Sequence, residues 1–555
     1  MKFKELLPQT YNTYEETLWN YLESCGVCDI EEYVNNIHET DCPLAYKGME
    51  RATEIFAFHR AENNEAYVIC DCDPDGFFCS AMMIDFCDKI GMNCIPLIHE
   101  RKIHGLDDET IMNQIMKEPL PLVIIPDASG TPSQCKELLE AGVQDILILD
   151  HHQVIEYNPY ATVINNQLDN QKVYNKALSG TGVTYKFIDA VCFEQGIDTP
   201  YYLDLVAFSI LSDVCDLRSL ENHYYVTKGL ENLNNKFLNE LYMAFVTSDE
   251  LTPEDVVWNI IPKLNAAIRS NDTELKAKIL WLMSGNESTW DEINVLEVIK
   301  DLKKCHRQQS DFTRKMAERL IAELDSKTKC NIIYTDEDLG AYTGLIAGKI
   351  EDITGKPTVL LREDSDDSHY AIGSCRSPVS LCTQMNGIRY VDWCKGHEKA
   401  FGVRCHKEDI AFIHEWSEGL DLNIEPEHEV VQVFNNGNIP AEVFGFGTEY
   451  KNLWGQGIPY PKYGITNVSI KAQDIQVIGR NKTTIKFEYK GKDYIKFFCG
   501  QSVKDKLHIG ENRKISLDII GKLEYNVYNG NITKQVIIED FEVNEPKETS
   551  WEDIF

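Results

Sequence analysis

The sequence predicts an α/β protein built from a parallel-sheet domain, a helical connector, a second α/β domain and a small C-terminal β-barrel. Three observations predict it. In the first third, short apolar runs alternate with helix-like stretches. From residue 224 to 325 the apolar spacing is mostly helical. After Glu429 it changes to short alternating segments divided by turn residues.

The apolar runs come first. Ala66 to Cys70 precedes Asp71, Leu122 to Pro126 precedes Asp127, and Ile146 to Leu149 precedes Asp150. Runs this short and continuous fit buried parallel strands. Helix-like stretches from Ser80 to Lys89 and Ser133 to Ala141 separate them, so the alternation is βαβ and both sheet faces should be covered. Ligands of such sheets bind at the carboxyl ends of the strands, where Asp71, Asp127 and Asp150 should converge. The segment Asp204 to Asp213 fits a buried helix that delivers Asp213 at its end. A charged stretch from Lys303 to Arg319 suits a long connecting helix. Asn331 to Tyr334 opens the second α/β unit, followed by a helix from Gly344 to Ile353 and a strand from Pro357 to Leu361. In the last module, Thr483 to Tyr489 and Tyr494 to Phe498 flank Lys490-Gly491-Lys492-Asp493, a hairpin signal. The segments Lys514 to Ile520 and Gln535 to Phe541 complete about five strands of a barrel. The expected boundaries are 1–223 with a helical lead-in, 224–325, 326–425, 426–541 and an acidic tail at 542–555.

Composition narrows the function classes. Hydrophobic residues at 43% and charged residues at 26% fit a globular protein. No stretch of about 18 uninterrupted apolar residues is present to span a membrane, and Pro8 interrupts the start before a secretion signal can form, so a cytoplasmic protein is expected. The 18 cysteines are scattered without framework spacing and should be reduced. Cys25 and Cys28 form a CxxC that lacks the second pair a zinc site needs. A net charge of −35 opposes polyanion binding over most of the surface. The exception is 462–534, where 14 Lys and Arg face 7 Asp and Glu. Phe487, Tyr489, Tyr494, Phe497 and Phe498 lie among them. That mixture fits base stacking along a single strand, and equally a barrel core with a solvated lysine face.

The chemistry concentrates in the strand ends. Asp71, Asp73 and Asp75 lie within five residues, and Gly76 permits a close turn into the next helix. Asp150-His151-His152 closes the third run, while Asp127 and Asp213 add separate carboxylates. Mixed carboxylate and imidazole donors suit Mn²⁺, with Mg²⁺ tolerated, and their number suggests two ions. Two such ions stabilise the attacking and leaving oxygens of a phosphoryl displacement.

In this order, Asp71 to Gly76, Asp127, Asp150 to His152 and Ser212-Asp213 resemble the four signature motifs of the DHH phosphoesterases. Leu178 to Val183, Asp204 to Ala207 and Asn265 to Arg269 resemble the core of RecJ-like nucleases. Gly373 to Ser377 and Gly396-His397 with Gly402 resemble the DHHA1 domain. The resemblance implies a DHH parallel-sheet domain, a DHHA1 domain and an OB-like barrel. It implies metal ligation by Asp73, Asp75, Asp127, His151 and Asp213, with Asp71 at or beside the metals. His152 would face the scissile phosphate and Asp150 would orient the histidines. Arg269, Ser374, Arg376, Gly396 and His397 would grip the strand. The implied activity is an exonuclease on single-stranded DNA, 5′ to 3′, releasing mononucleotides in repair or recombination. RNA is a further candidate substrate, and a single-strand-binding or replication protein a candidate partner. The rival readings are a phosphodiesterase of short oligonucleotides or cyclic dinucleotides, and a non-catalytic replication scaffold. Ile268, Cys375 and Lys395 stand where the resembled motifs have small residues or glycine, which predicts drift in strand affinity.

Overall fold

A computed structural model describes the chain except residues 38–39, 101–102, 155, 170, 326, 366, 421–426, 480–481, 529–530 and 545–555. Most of the acidic tail expected at 542–555 therefore lies outside the described residues.

The first domain is a five-stranded, all-parallel sheet in the order Cys94–Ile98, Ala66–Cys70, Leu122–Pro126, Asp145–Asp150, Thr162–Asn165. Every residue of the Ala66–Cys70 and Leu122–Pro126 strands is buried, as their unbroken apolar character requires. Alternate side chains enter different cores. Val68, Cys70, Ile124 and Leu149 pack with Phe56, Phe77 and Phe187 on one face. Tyr67, Ile69, Val123 and Ile125 pack with Ile111, Ile115 and Leu138 on the other. The helices expected at 80–89 and 133–141 start earlier, as Pro74–Lys89 and Pro132–Ala141. Both carry Pro at the first turn, where its missing N–H costs nothing, behind an Asp73 or Thr131 cap. The helix Leu203–Ser212 is wholly buried from Asp204 to Leu211 and ends at Asp213.

The connector is helical, and its last helix, Val295–Ala322, runs for 28 residues through the charged stretch expected there. The second domain pairs Asn331–Thr335 in parallel with Thr358–Glu363, then adds Tyr370–Arg376, Ala400–His406 and Trp393–His397 antiparallel.

The C-terminal sheet has seven strands in the order Val433–Asn435, Tyr463–Lys471, Lys514–Tyr528, Asn531–Asn544, Lys492–Lys496, Thr484–Tyr489, Gln476–Ile478. The expected hairpin is present: Thr484–Tyr489 pairs antiparallel with Lys492–Lys496. Lys490 and Gly491 take φ of 50° and 68°, the two positive values a tight hairpin turn needs.

The lead-in is the main departure from the expected domain plan. Lys2–Glu5 pairs in parallel with Glu427–Val430. Leu18, Tyr21, Leu22 and Tyr33 share a core with Phe444, Phe446, Trp454 and Tyr463. The lead-in helix Tyr14–Ser24 thus completes the C-terminal module and not the catalytic sheet. Its apolar stripe is visible in the sequence, but a stripe does not name its partner. Among the described residues no helix is long and apolar enough to cross a membrane, and all eighteen cysteines are free.

Candidate metal centre

The acidic residues meet where the strand ends predicted. Asp73 caps the helix Pro74–Lys89, its Oδ1 accepting from Gly76 N at 3.1 Å. A side chain on Gly76 would lie 2.6 Å from the Asp71 Cβ, so only glycine lets the loop fold this tightly. Asp127 follows its strand with φ at 59°, a left-handed conformation that aspartate tolerates better than most residues. Gly180 sits against it, and a Cβ there would stand 2.3 Å from Asp127 Oδ1. Asp75 is fixed from another direction, accepting from Gly180 N at 2.8 Å, Thr181 N at 2.9 Å and the Ser209 hydroxyl.

His151 lies at the middle. Its Nε2 is 3.2 Å from Asp127 Oδ1, 3.7 Å from Asp213 Oδ2 and 4.0 Å from Asp75 Oδ2. Donor atoms of three sets lie within 4.8 Å of one another: Asp127, His151 and His152; Asp75, His151 and Asp213; Asp71, Asp73 and Asp127. Asp127 Oδ1 and His151 Nε2 are buried without a hydrogen-bond partner. Burial and the surrounding carboxylates push Asp127 far above the usual carboxylate range and raise Asp73. Asp213 is pushed up to about 6 by burial and then by Asp75. Orphaned donors and crowded, desolvated carboxylates are what a cation would satisfy. The donor set of oxygens and imidazole nitrogens therefore fits Mn²⁺ or Mg²⁺.

Asp150 stands behind the histidines. Its Oδ1 accepts from the backbone N–H groups of His151 at 2.8 Å and His152 at 3.2 Å, and contacts His152 Nδ1 at 2.8 Å. Burial alone would raise Asp150, but the bonds from His152 outweigh it and hold the carboxyl below its usual range. In return His152 is pushed up to about 9.

The phosphate-gripping candidates are only partly gathered. Arg269, at the end of the helix Ile261–Ile268, has a buried Nε without a partner. Its positive charge acts to lower both Asp73 and Arg376, so it lies within electrostatic reach of the centre and of the second domain. Ser374 Oγ lies 3.0 Å from Thr343 Oγ1, and the Arg376 guanidinium fills the space left by Gly344. His397 and Arg376 flank Ala400 in register. They therefore share a sheet face about 10 Å apart. Gly396 and His397 are exposed, and among the described residues no hydrogen bond joins them to the acidic cluster. Sequence reasoning missed Thr343, Gly344 and the pair His99 and His104 around Asp71. Isolated residues of these types carry no signal until a fold brings them together.

Two of the five C-terminal aromatics, Phe487 and Tyr494, stack on each other inside the core at 5.0 Å. Phe497 and Phe498 face outward, Phe498 being 95% exposed with φ at 57°.

Comparison with known proteins agrees with this architecture. Residues 65–210 match the DHH family N-terminal domain, and residues 448–540 match the RecJ OB domain. A putative SPbeta prophage-derived single-strand DNA-specific exonuclease, YorK, of Bacillus subtilis (strain 168) is 26% identical over 584 residues, covering 99% of both chains. The crystal structure of RecJ in complex with Mn²⁺ from Thermus thermophilus superposes with a TM-score of 0.73 at 19% identity, over 98% of this chain and 79% of that one. A manganese-bound exonuclease RecJ superposes at 0.53 and 21% identity, over 67% and 94%. The chain thus carries a DHH-family N-terminal domain, which holds most of the acidic cluster, and a RecJ OB domain at the other end, and along its length it is similar to RecJ-like proteins of the DHH family.

Proposed function

We propose that the chain is a divalent-metal-dependent exonuclease that hydrolyses phosphodiester bonds of single-stranded DNA from the 5′ end. The observation that carries this is the convergence of Asp71, Asp73, Asp75, Asp127, His151 and Asp213 around two orphaned, buried donor atoms. The likeness to the single-strand DNA-specific exonuclease and the RecJ OB domain supports the choice of substrate.

In this reading Asp73, Asp75, Asp127, His151 and Asp213 hold two Mn²⁺ or Mg²⁺ ions, with Asp71 beside them. Bound there, the ions supply charge stabilisation for the attacking and leaving oxygens. The residues do the rest. Asp150 keeps His152 protonated, so His152 presents a positive N–H to the scissile phosphate. Arg269 and Arg376 hold phosphate oxygens, and Ser374 adds a hydroxyl held in place by Thr343. His397, further along the same sheet face as Arg376, and the adjoining Gly396 meet the strand beyond these arginines. A cleft of about 1450 Å³, lined by Gln153, next in sequence to His152, and by Lys172, Lys176 and Arg218 together with the acidic Asp41 and Glu221, offers the strand a path. Phe497 and Phe498 offer stacking faces for its bases. The domain plan that goes with this places catalysis within 1–223, the connector at 224–325, the DHHA1 domain at 326–425 and strand capture at 426–541.

The test is Mn²⁺-dependent digestion of single-stranded DNA labelled at either end, beside RNA, a dinucleotide and the Asp127→Asn protein. Stepwise mononucleotide release from the 5′ end, abolished in the variant, supports the reading. Cleavage of the dinucleotide alone would replace it with a small-substrate phosphodiesterase.

A further inference from the structure

Asp71, beside the proposed metal centre, also belongs to a second cluster, whose other members, Cys72 and His104, the proposed reaction does not use. Its Oδ2 is 2.7 Å from His104 Nδ1. Cys72 Sγ lies 3.8 Å from that nitrogen and 3.9 Å from Nε2 of the same ring. One carboxylate oxygen, one thiol and one imidazole therefore meet within 4.8 Å of one another. Cys72 is buried, whereas the His104 side chain is 55% exposed, which leaves an approach from solvent.

A separate observation points to a ligand. The His99 side chain has no exposed surface, and its Nε2 has no hydrogen-bond partner. That nitrogen faces Asp71 Oδ1 at 3.9 Å. Its other nitrogen, Nδ1, lies 3.0 Å from Asp108 Oδ2, which holds the ring from one side and leaves Nε2 turned towards Asp71. Asp71 Oδ1 already accepts from Gly105 N at 3.2 Å, so His99 Nε2 is the atom of this pair left without a partner, and a buried polar atom without one is costly.

We propose that Asp71, Cys72 and His104 form a third cation site, taking Zn²⁺ or another thiophilic cation, with His99 Nε2 as the buried donor behind Asp71. Donors bound tetrahedrally at the usual zinc distances stand roughly 3.3–3.8 Å apart. The sulfur, 3.8 Å from Nδ1, stands at the upper end of that range, so the His104 ring must turn slightly to aim a nitrogen at a shared cation. The Asp71–His104 contact opens by about half an ångström when the cation takes the place of the proton between them. Mg²⁺ and Mn²⁺ prefer oxygen donors and stay with the carboxylates of the main centre. A zinc ion here ties Asp71 to His104 and pulls on the loop that carries Asp73 and Asp75. Cleavage should therefore be zinc-sensitive, a consequence that rests on the nuclease reading, whereas zinc binding itself does not.

The experiment uses the full chain saturated with Mg²⁺, comparing wild type, Cys72→Ser and His104→Gln. Zinc content is measured by equilibrium dialysis against a chromophoric chelator, and the Co²⁺ derivative is examined for a thiolate-to-metal charge-transfer band. The wild type should hold one more zinc than Cys72→Ser and show a charge-transfer band that Cys72→Ser lacks. His104→Gln should bind that zinc at least about tenfold more weakly. Cys72→Ser should cleave single-stranded DNA in Mg²⁺ within about twofold of wild type, yet resist added zinc. Equal zinc content in the three proteins, or a charge-transfer band that survives Cys72→Ser, would overturn the site. Absence of cleavage in the wild type would instead overturn the nuclease reading, and the zinc counts would still decide this one.

Discussion

Gly180→Ala is a one-carbon probe of the metal centre. The new methyl would start 2.3 Å from Asp127 Oδ1 and 2.7 Å from its Cβ and Cγ, while ordinary contact begins at 3.4 Å. Either the Asp127 carboxylate or the start of the helix Gly180–Gln195 must therefore move by about 1 Å, and displacements of that size cost roughly 100-fold in rate. The same residue's N–H holds Asp75 Oδ2, so both carboxylates next to His151 are disturbed together. Alanine is the better helix former by up to about 1 kcal/mol, so the helix itself should survive. The assay is the initial rate of Mn²⁺-dependent nucleotide release from labelled single-stranded DNA, with circular dichroism to confirm the fold. A rate within about threefold of wild type, in a normally folded protein, would refute the claim that Asp127 and Asp75 act at these positions.

Metal binding should stabilise the fold, because it satisfies carboxylates that burial and mutual repulsion disfavour. Mn²⁺ at about a hundred times its dissociation constant should add about 2.7 kcal/mol and raise the melting temperature by several degrees, and Asp127→Asn should abolish the rise. His223, buried and stacked on Tyr33 at 3.8 Å, is pushed down to about 4 by burial. The unfolded chain gains a proton there before the folded one does, so stability present above pH about 6.5 is lost as the pH falls towards 4, by about 3 kcal/mol. The urea midpoint of His223→Phe, which keeps a ring against Tyr33, should fall less than that of wild type across this window. Phe498→Ala should weaken binding of a long single strand by about 1–3 kcal/mol while leaving dinucleotide cleavage unchanged, as measured by fluorescence anisotropy and product analysis.

The catalytic half of the molecule was legible because its signals are local. A buried parallel strand reads as a continuous apolar run, and the residue that ends it must lie at the carboxyl edge, so Asp71, Asp127 and Asp150 could be placed from the sequence alone. Asp213 followed from one apolar helix. What stayed hidden depends on encounters between distant segments. His99 and His104 reach Asp71 only through the loop after Cys94–Ile98, and Gly344 matters only because Arg376 arrives from another strand. The aromatics of 487–498 look alike in sequence, yet Phe487 and Tyr494 close the core while Phe497 and Phe498 stay outside.

The strand Lys2–Glu5, paired with Glu427–Val430, also sets a timetable for biosynthesis. Lys4 and Glu429, ion-paired across this ladder, are 425 residues apart in the chain. At about 5–20 residues per second the ribosome needs on the order of tens of seconds to make that interval. Throughout it Leu18, Tyr21 and Leu22 have no finished core to enter. Residues 2–22 thus settle only after the segments beyond 427 have been made, and until then this stretch of the nascent chain is open to protease or chaperone.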